Sequence, residues 1–242
     1  MNNLLVADKI SKRYGNSLIL NEVSLSLNRG EISVILGPSG GGKTTLLRCL
    51  CMLDIPNSGL ISIDKRDFFF PCLNVNYTNI YPNISIVFQQ LFLWHHLTNR
   101  ENIAFPLRQN GFKPLEIEAI IQELIIDLNL TNFIEKFPHQ SSVGQKQRIA
   151  IARTLALKPE CILLDEITSA LDVVQTNNII QILKSLAYKQ NIAILFVTHN
   201  LDVAKKVADK VLFLENGTIV EQGALDILEN PKSVELCKFL GK

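Results

Sequence analysis

Gly37-Pro38-Ser39-Gly40-Gly41-Gly42-Lys43-Thr44-Thr45 reads as a complete phosphate-binding loop of the form G-x-x-x-x-G-K-[ST]. Its surroundings suit that reading. Residues 31–36, EISVIL, predict a short buried strand before it, and residues 44–50, TTLLRCL, predict a helix after it. The four glycines let the backbone curl until consecutive N–H groups face a cluster of phosphate oxygens. The helix N-terminus adds its partial positive charge to the same place. Lys43 is placed to reach the β- and γ-phosphates, and the Thr44 hydroxyl to sit on Mg²⁺. A glycine-rich turn ahead of a chance lysine is the plainer alternative, and the flanking strand and helix weigh against it. The sequence predicts that a nucleoside triphosphate binds here.

Outward from the loop, apolar runs at residues 161–164, 192–197 and 211–214 alternate with helical stretches, one of them over residues 173–188. That alternation predicts an α/β fold whose sheet has a parallel core covered on both faces. Residues 4–10 and 19–27 read as paired β segments, with Arg29-Gly30 as a turn. Pro56-Asn57-Ser58-Gly59 predicts a turn into a strand over residues 60–64. Residues 65–83 read as an irregular loop packed by its own aromatics, and residues 84–88 as a strand. From Asn99 to about Leu157 the period is helical. Residues 116–130 place Ile117, Ile120, Ile121, Leu124, Ile125 and Leu128 on one face. A helical insertion thus interrupts a nucleotide-binding core.

The 242 residues are enough for a sizeable core. Twenty-four basic and 23 acidic side chains leave a net charge of +1, which argues against a nucleic-acid partner. No apolar run approaches the roughly 18 residues that span a bilayer, and Met1-Asn2-Asn3-Leu4 lacks signal-peptide regions. The five cysteines, Cys49, Cys51, Cys72, Cys161 and Cys237, show no metal-ligand spacing and read as buried, reduced thiols. A soluble, intracellular protein is expected.

Two further stretches carry chemistry. Ile162-Leu163-Leu164-Asp165-Glu166 is an apolar strand ending in two carboxylates. Beside a phosphate loop, Asp165 fits as a ligand of Mg²⁺, directly or through water, and Glu166 as the group that accepts a proton from, or orients, the attacking water. Ser141-Ser142-Val143-Gly144-Gln145-Lys146-Gln147-Arg148 leads into a helix, so small residues and an N-cap serine form a second anion site. One chain rarely needs two triphosphate-sized sites. The second is more sensibly offered to a nucleotide on another chain.

On these residues the chain resembles the ATP-binding subunit of ABC transporters over nearly its whole length. The family's motifs fall in order at Tyr14 (aromatic loop), residues 37–45 (Walker A), Gln89 (Q-loop), residues 141–145 (signature), residues 163–166 (Walker B), Ser169-Ala170-Leu171-Asp172 (D-loop) and His199 (switch). The resemblance implies a phosphate-loop NTPase (RecA-like) core, an antiparallel β subdomain and an inserted α-helical subdomain. The whole of 1–242 forms one ATPase domain, with residues 1–90 and 158–242 as core and about 95–157 as the helical part. It further implies that Tyr14 stacks on adenine and that Gln89 helps hold Mg²⁺ and relays nucleotide state. His199 contacts the γ-phosphate, and Asp172 crosses a dimer interface. Two ATP molecules are then sandwiched in a head-to-tail homodimer, each between one phosphate loop and the other chain's Ser142, Gly144 and Gln145. The dimer works at the cytoplasmic face of a membrane on transmembrane permease subunits, and indirectly with a solute-binding protein.

The chain departs from the family pattern at Ser141 (usually leucine), Val143 (usually glycine) and Ile167 (usually proline). A β-branched residue is costly at positive φ, and a smaller cost applies where φ is negative and the side chain points away. Slower turnover or weaker closure, with catalysis kept, is expected. Residues 87–98, VFQQLFLWHHLT, with Phe137-Pro138-His139-Gln140 and residues 214–223, LENGTIVEQG, resemble the polar amino-acid importers. The alternatives are the ATPase of a lipoprotein-extraction or cell-division complex, or a non-transport ABC ATPase. The chain's end soon after residue 240 suggests no room for a C-terminal regulatory domain.

Overall fold

The computed structural model describes residues 3–71 and 80–242. Two sheets organise it. In the larger, the order is β10 (Thr218–Ala224), β9 (Lys210–Glu215), β3 (Ile32–Leu36), β8 (Ala193–Val197), β7 (Cys161–Asp165), β6 (Ile84–Val87). All neighbours are parallel except β10 against β9. The central strands bury both faces, which is why they read as unbroken apolar runs. In β3, Ile32, Val34 and Leu36 enter a core shared with the helices, while Ile35 enters a second core. In β8, Ile194 and Phe196 face the first core, and Ala193, Leu195 and Val197 the second. That alternation follows the pleat.

The second core lies between this sheet and an antiparallel sheet of order β2 (Ser17–Asn28), β1 (Asn3–Tyr14), β4 (Ser58–Ile63), β5 (Arg66–Phe70). Helix α1 (Lys43–Leu50) contributes Leu46, Leu47, Cys49 and Leu50 to that core. The helical region holds α2 (Asn99–Gln109), α3 (Pro114–Asp127) and α4 (Val143–Leu155). The expected apolar face of α3 is buried at Ile117, Ile121, Leu124, Ile125 and Leu128, with Ile120 packed beside them. Further along come α5 (Val173–Gln190), α6 (Leu201–Val207) and α7 (Val234–Phe239).

Residues 65–83 correct the sequence reading in part. Arg66 to Phe70 form a strand, β5, paired to β4, rather than an irregular loop. Phe70 is buried and Phe68 packs against the same core, while Phe69 is 66% exposed, so the three phenylalanines alternate across a sheet edge. Residues 72–79, with Cys72, lie outside the described residues. Strand β10 and helices α6 and α7 were not anticipated as elements. Cys49, Cys51, Cys161 and Cys237 are free thiols, and burial pushes the Cys49 thiol up to about 12. Among the described residues no helix is long and apolar enough to cross a membrane.

Candidate active site

Strand β3 delivers the chain into the phosphate loop at the C-terminal edge of the parallel sheet. Gly37 stands where a Cβ would fall on the carbonyl oxygen of Leu214 in β9, so only glycine lets the loop pass. Gly42 is the N-cap of α1 and puts the first turn of that helix against the loop. Lys43 is buried, and its Nζ donates to the carbonyls of Gly37 (3.0 Å) and Pro38 (2.8 Å). The backbone of Gly41 also donates to Pro38, at 3.2 Å. Burial lowers the Lys43 pKa, opposed by the nearby charges of Glu166 and Asp165.

Strand β7 carries its two carboxylates to the same place. Thr44 Oγ1 donates to Asp165 Oδ2 at 2.8 Å, joining the start of α1 to the end of β7. Burial raises the Asp165 pKa, partly offset by the Thr44 hydrogen bond. Glu166 adopts a left-handed backbone, φ 48°, and its N–H donates to the Val197 carbonyl of β8 at 3.0 Å. Such a conformation costs a non-glycine residue about 1–2 kcal/mol. Ile167, fully buried in the helix-side core, follows at once and anchors the turn. Glu166 Oε2 lies 3.3 Å from His199 Nδ1, at the end of β8.

A cavity of about 450 Å³ collects these groups: Tyr14, Ile19, Ser39, Gly40, Gly42, Lys43, Thr44, Thr45, Gln89, Asp165 and Glu166 line it. Gln89 Nε2 donates to Ser169 Oγ at 3.3 Å, which ties β6's end to the turn after β7. Tyr14, 45% exposed, donates its hydroxyl to Asp54, and that bond raises its pKa. Ile19 and Asp54 were missed by the sequence reading, which held no signal for either. Glu166 also lines a neighbouring cavity of about 250 Å³ with His199, Ser169 and Asp202. A larger cavity, about 610 Å³, lies between α3 and α5. Its wall mixes leucine and isoleucine with polar and charged side chains, of which Arg29 and Glu160 pair, and holds none of the expected catalytic groups.

The oxygen set at the loop suits a small hard cation. Thr44, Asp165 and Gln89 line the same cavity, and a hydroxyl, a carboxylate and an amide oxygen are donors of the kind Mg²⁺ takes.

Ser142, Gly144 and Gln145 are not brought to this cavity. They line a separate one of about 100 Å³ with Arg148, Gln175 and Asn178. Ser142 caps α4, its hydroxyl accepting from the Gln145 N–H at 3.3 Å while Gln145 Oε1 accepts from the Ser142 N–H at 2.9 Å. Gly144 packs so closely on the Gln175 side chain that a Cβ would overlap it. Gln175 donates from its backbone to Asp172 Oδ1 (2.8 Å) and from its side chain to Asp172 Oδ2 (2.9 Å). Asp172 is thus the N-cap of α5, held beside Gly144 through Gln175. Val143 is the first residue of α4, is 46% exposed and is not among the positive-φ residues, so the backbone cost does not arise. Ser141 is buried and accepts from Asn99 Nδ2 at 2.9 Å.

The sequence profile of the ABC transporter family matches residues 20–169. The arginine transport ATP-binding protein ArtP of Haemophilus influenzae is 40% identical over 94% of this chain and 95% of its own length. The glutamine transport ATP-binding protein GlnQ of Escherichia coli is 39% identical over 96% of each. The glutamate transport ATP-binding protein GluA of Corynebacterium glutamicum is 38% identical over 96% of each. A dimeric ATP-binding cassette in a post-hydrolysis state, bound to ADP and Pi, superposes with a TM-score of 0.81 at 33% identity, covering 91% of this chain and 98% of its own.

Proposed function

This chain belongs to the ABC transporter family, and from that premise we propose that it is the ATPase subunit that energises an importer of polar amino acids. The observation that carries the chemistry is the convergence of Lys43, Thr44, Asp165 and Glu166 on one cavity, with His199 3.3 Å from Glu166. ATP is the substrate. Lys43 meets the phosphates, and Tyr14 offers its ring to adenine. Mg²⁺, held by Thr44, Asp165 and Gln89, supplies charge neutralisation of the phosphate oxygens. Glu166 orients the attacking water and accepts its proton, with His199 beside it at the γ-phosphate.

Ser142, Gly144 and Gln145, displaced from the loop in their own chain, serve the nucleotide of a second copy in a head-to-tail homodimer. Asp172 follows them to that interface. Residues 1–90 and 158–242 form the nucleotide-binding core, and about 95–157 the helical subdomain. The dimer rests on the cytoplasmic face of a membrane through permease subunits, whose solute-binding protein selects the amino acid. The amino-acid assignment draws on the arginine, glutamine and glutamate transport relatives.

ATP turnover and binding by the purified chain test this. Glu166→Gln should retain ATP binding and lower hydrolysis about 10²–10³-fold, roughly 3–4 kcal/mol of barrier. Lys43→Ala should impair binding itself. Full turnover in Glu166→Gln would remove Glu166 from the proton-transfer role.

A further inference from the structure

One side chain fastens the segment after Gln89 to the helix that begins at Ser142. Arg153 stands in the last turn of α4. Its Nη1 donates to the Phe92 carbonyl at 2.7 Å and its Nη2 to the Leu91 carbonyl at 2.8 Å. The guanidinium lies over the Trp94 ring, 5.1 Å from its centroid, and Trp94 packs on Phe105 of α2 at 4.6 Å. Among the described residues Arg153 has no carboxylate partner. Two consecutive carbonyls and a ring face satisfy the cation instead.

The backbone here is strained where it meets that fork. Phe92 adopts φ 46° and leaves its side chain 58% exposed, a conformation disfavoured for a bulky residue. Strain of this kind persists only where surrounding contacts hold it, and it concentrates at working sites. The contacts are Arg153 on one side and Asn102 on the other. Asn102 accepts from the Trp94 N–H at 2.8 Å and donates to the Trp94 carbonyl at 3.0 Å.

We propose that Arg153 is a positioning residue that makes residues 89–94 and α4 one body. A displacement of Gln89 by nucleotide is then delivered along α4 to Ser142 at its other end. This inference rests on the ATPase reading of the Gln89 cavity. Helix α4 suits the task, because its 13 residues run on past Gly144 with no further glycine or proline to absorb the motion.

The test is a split between ATP affinity and turnover in Arg153→Ala and Arg153→Lys, with a fluorescent ATP analogue for affinity and phosphate release for turnover. Arg153→Ala should keep Kd within about twofold of wild type while kcat falls about tenfold or more. Arg153→Lys, which keeps the charge but loses the planar fork, should lose about threefold in kcat at unchanged Kd. Trp94, the only tryptophan, should become more accessible to acrylamide in Arg153→Ala. Wild-type kcat per folded molecule in Arg153→Ala, or a parallel loss of affinity and turnover, would overturn the proposal. If Arg153→Ala fails to fold, Arg153→Lys decides alone, and wild-type kcat there overturns it. A wild-type chain that binds no ATP analogue would instead defeat the ATPase reading.

Discussion

At the residue scale, Asp165 shows what burying a carboxylate costs. Its carboxyl is held above the ordinary range by burial. A group whose pKa is raised on folding gives its full stabilising share below the unfolded value, here 3.8, and loses it as pH rises through the folded value. At neutral pH the free protein therefore carries the penalty of a buried carboxylate. Asp165→Asn should raise the melting temperature of nucleotide-free protein at pH 7, with the gain shrinking toward pH 4, while weakening Mg²⁺-dependent ATP binding. An unchanged melting temperature at pH 7 would contradict this. Ser141 gives a second case. Asn99, fully buried, donates to Ser141 and to the Phe133 carbonyl, so the serine fills a polar niche. Ser141→Leu should destabilise the fold by about 1–3 kcal/mol in chemical denaturation, through overpacking and a lost acceptor for Asn99. Val143 is the opposite case, since its helical backbone removes the strain argument and leaves only side-chain bulk. Val143→Ala should leave stability within about 0.5 kcal/mol and raise turnover severalfold; an unchanged rate would clear Val143 of any braking role.

At the scale of elements, legibility followed the range of the interactions. The loop between β3 and α1, the acids at the end of β7 and the cap of α4 were readable because each is built from adjacent residues. The contacts of Tyr14 with Asp54 and of Gln89 with Ser169 span 40 and 80 residues, and no local pattern announces them. Strand β5 was missed for a related reason. Three successive phenylalanines before a proline hide a period of two that only the pairing with β4 reveals. Helices α6 and α7 are short, and strand β10, though seven residues long, buries none of them and so lacks the apolar run that marks the central strands. The cap of α4 also predicts a measurable stability. Ser142→Ala should cost about 1 kcal/mol from the lost bond to the Gln145 N–H. A thermal or denaturant midpoint equal to wild type would show that the cap contributes nothing.

At the scale of the molecule, the cluster at the phosphate loop and the cluster at Ser142 do not meet within one chain. The phosphate-loop cavity and the cavity around Ser142 and Gly144 share no lining residue. A second copy is the economical way to unite them, and the dimeric cassette bound to ADP and Pi superposes on this chain at a TM-score of 0.81. The most direct measurement is sedimentation of Glu166→Gln with and without MgATP, with bound nucleotide counted per chain. The account predicts a monomer without nucleotide and a dimer holding two ATP with it. Adding Ser142→Arg should leave the ATP bound and the protein monomeric. Contradiction would come from an ATP-loaded Glu166→Gln chain that stays monomeric, or from a Ser142→Arg chain that dimerises equally well.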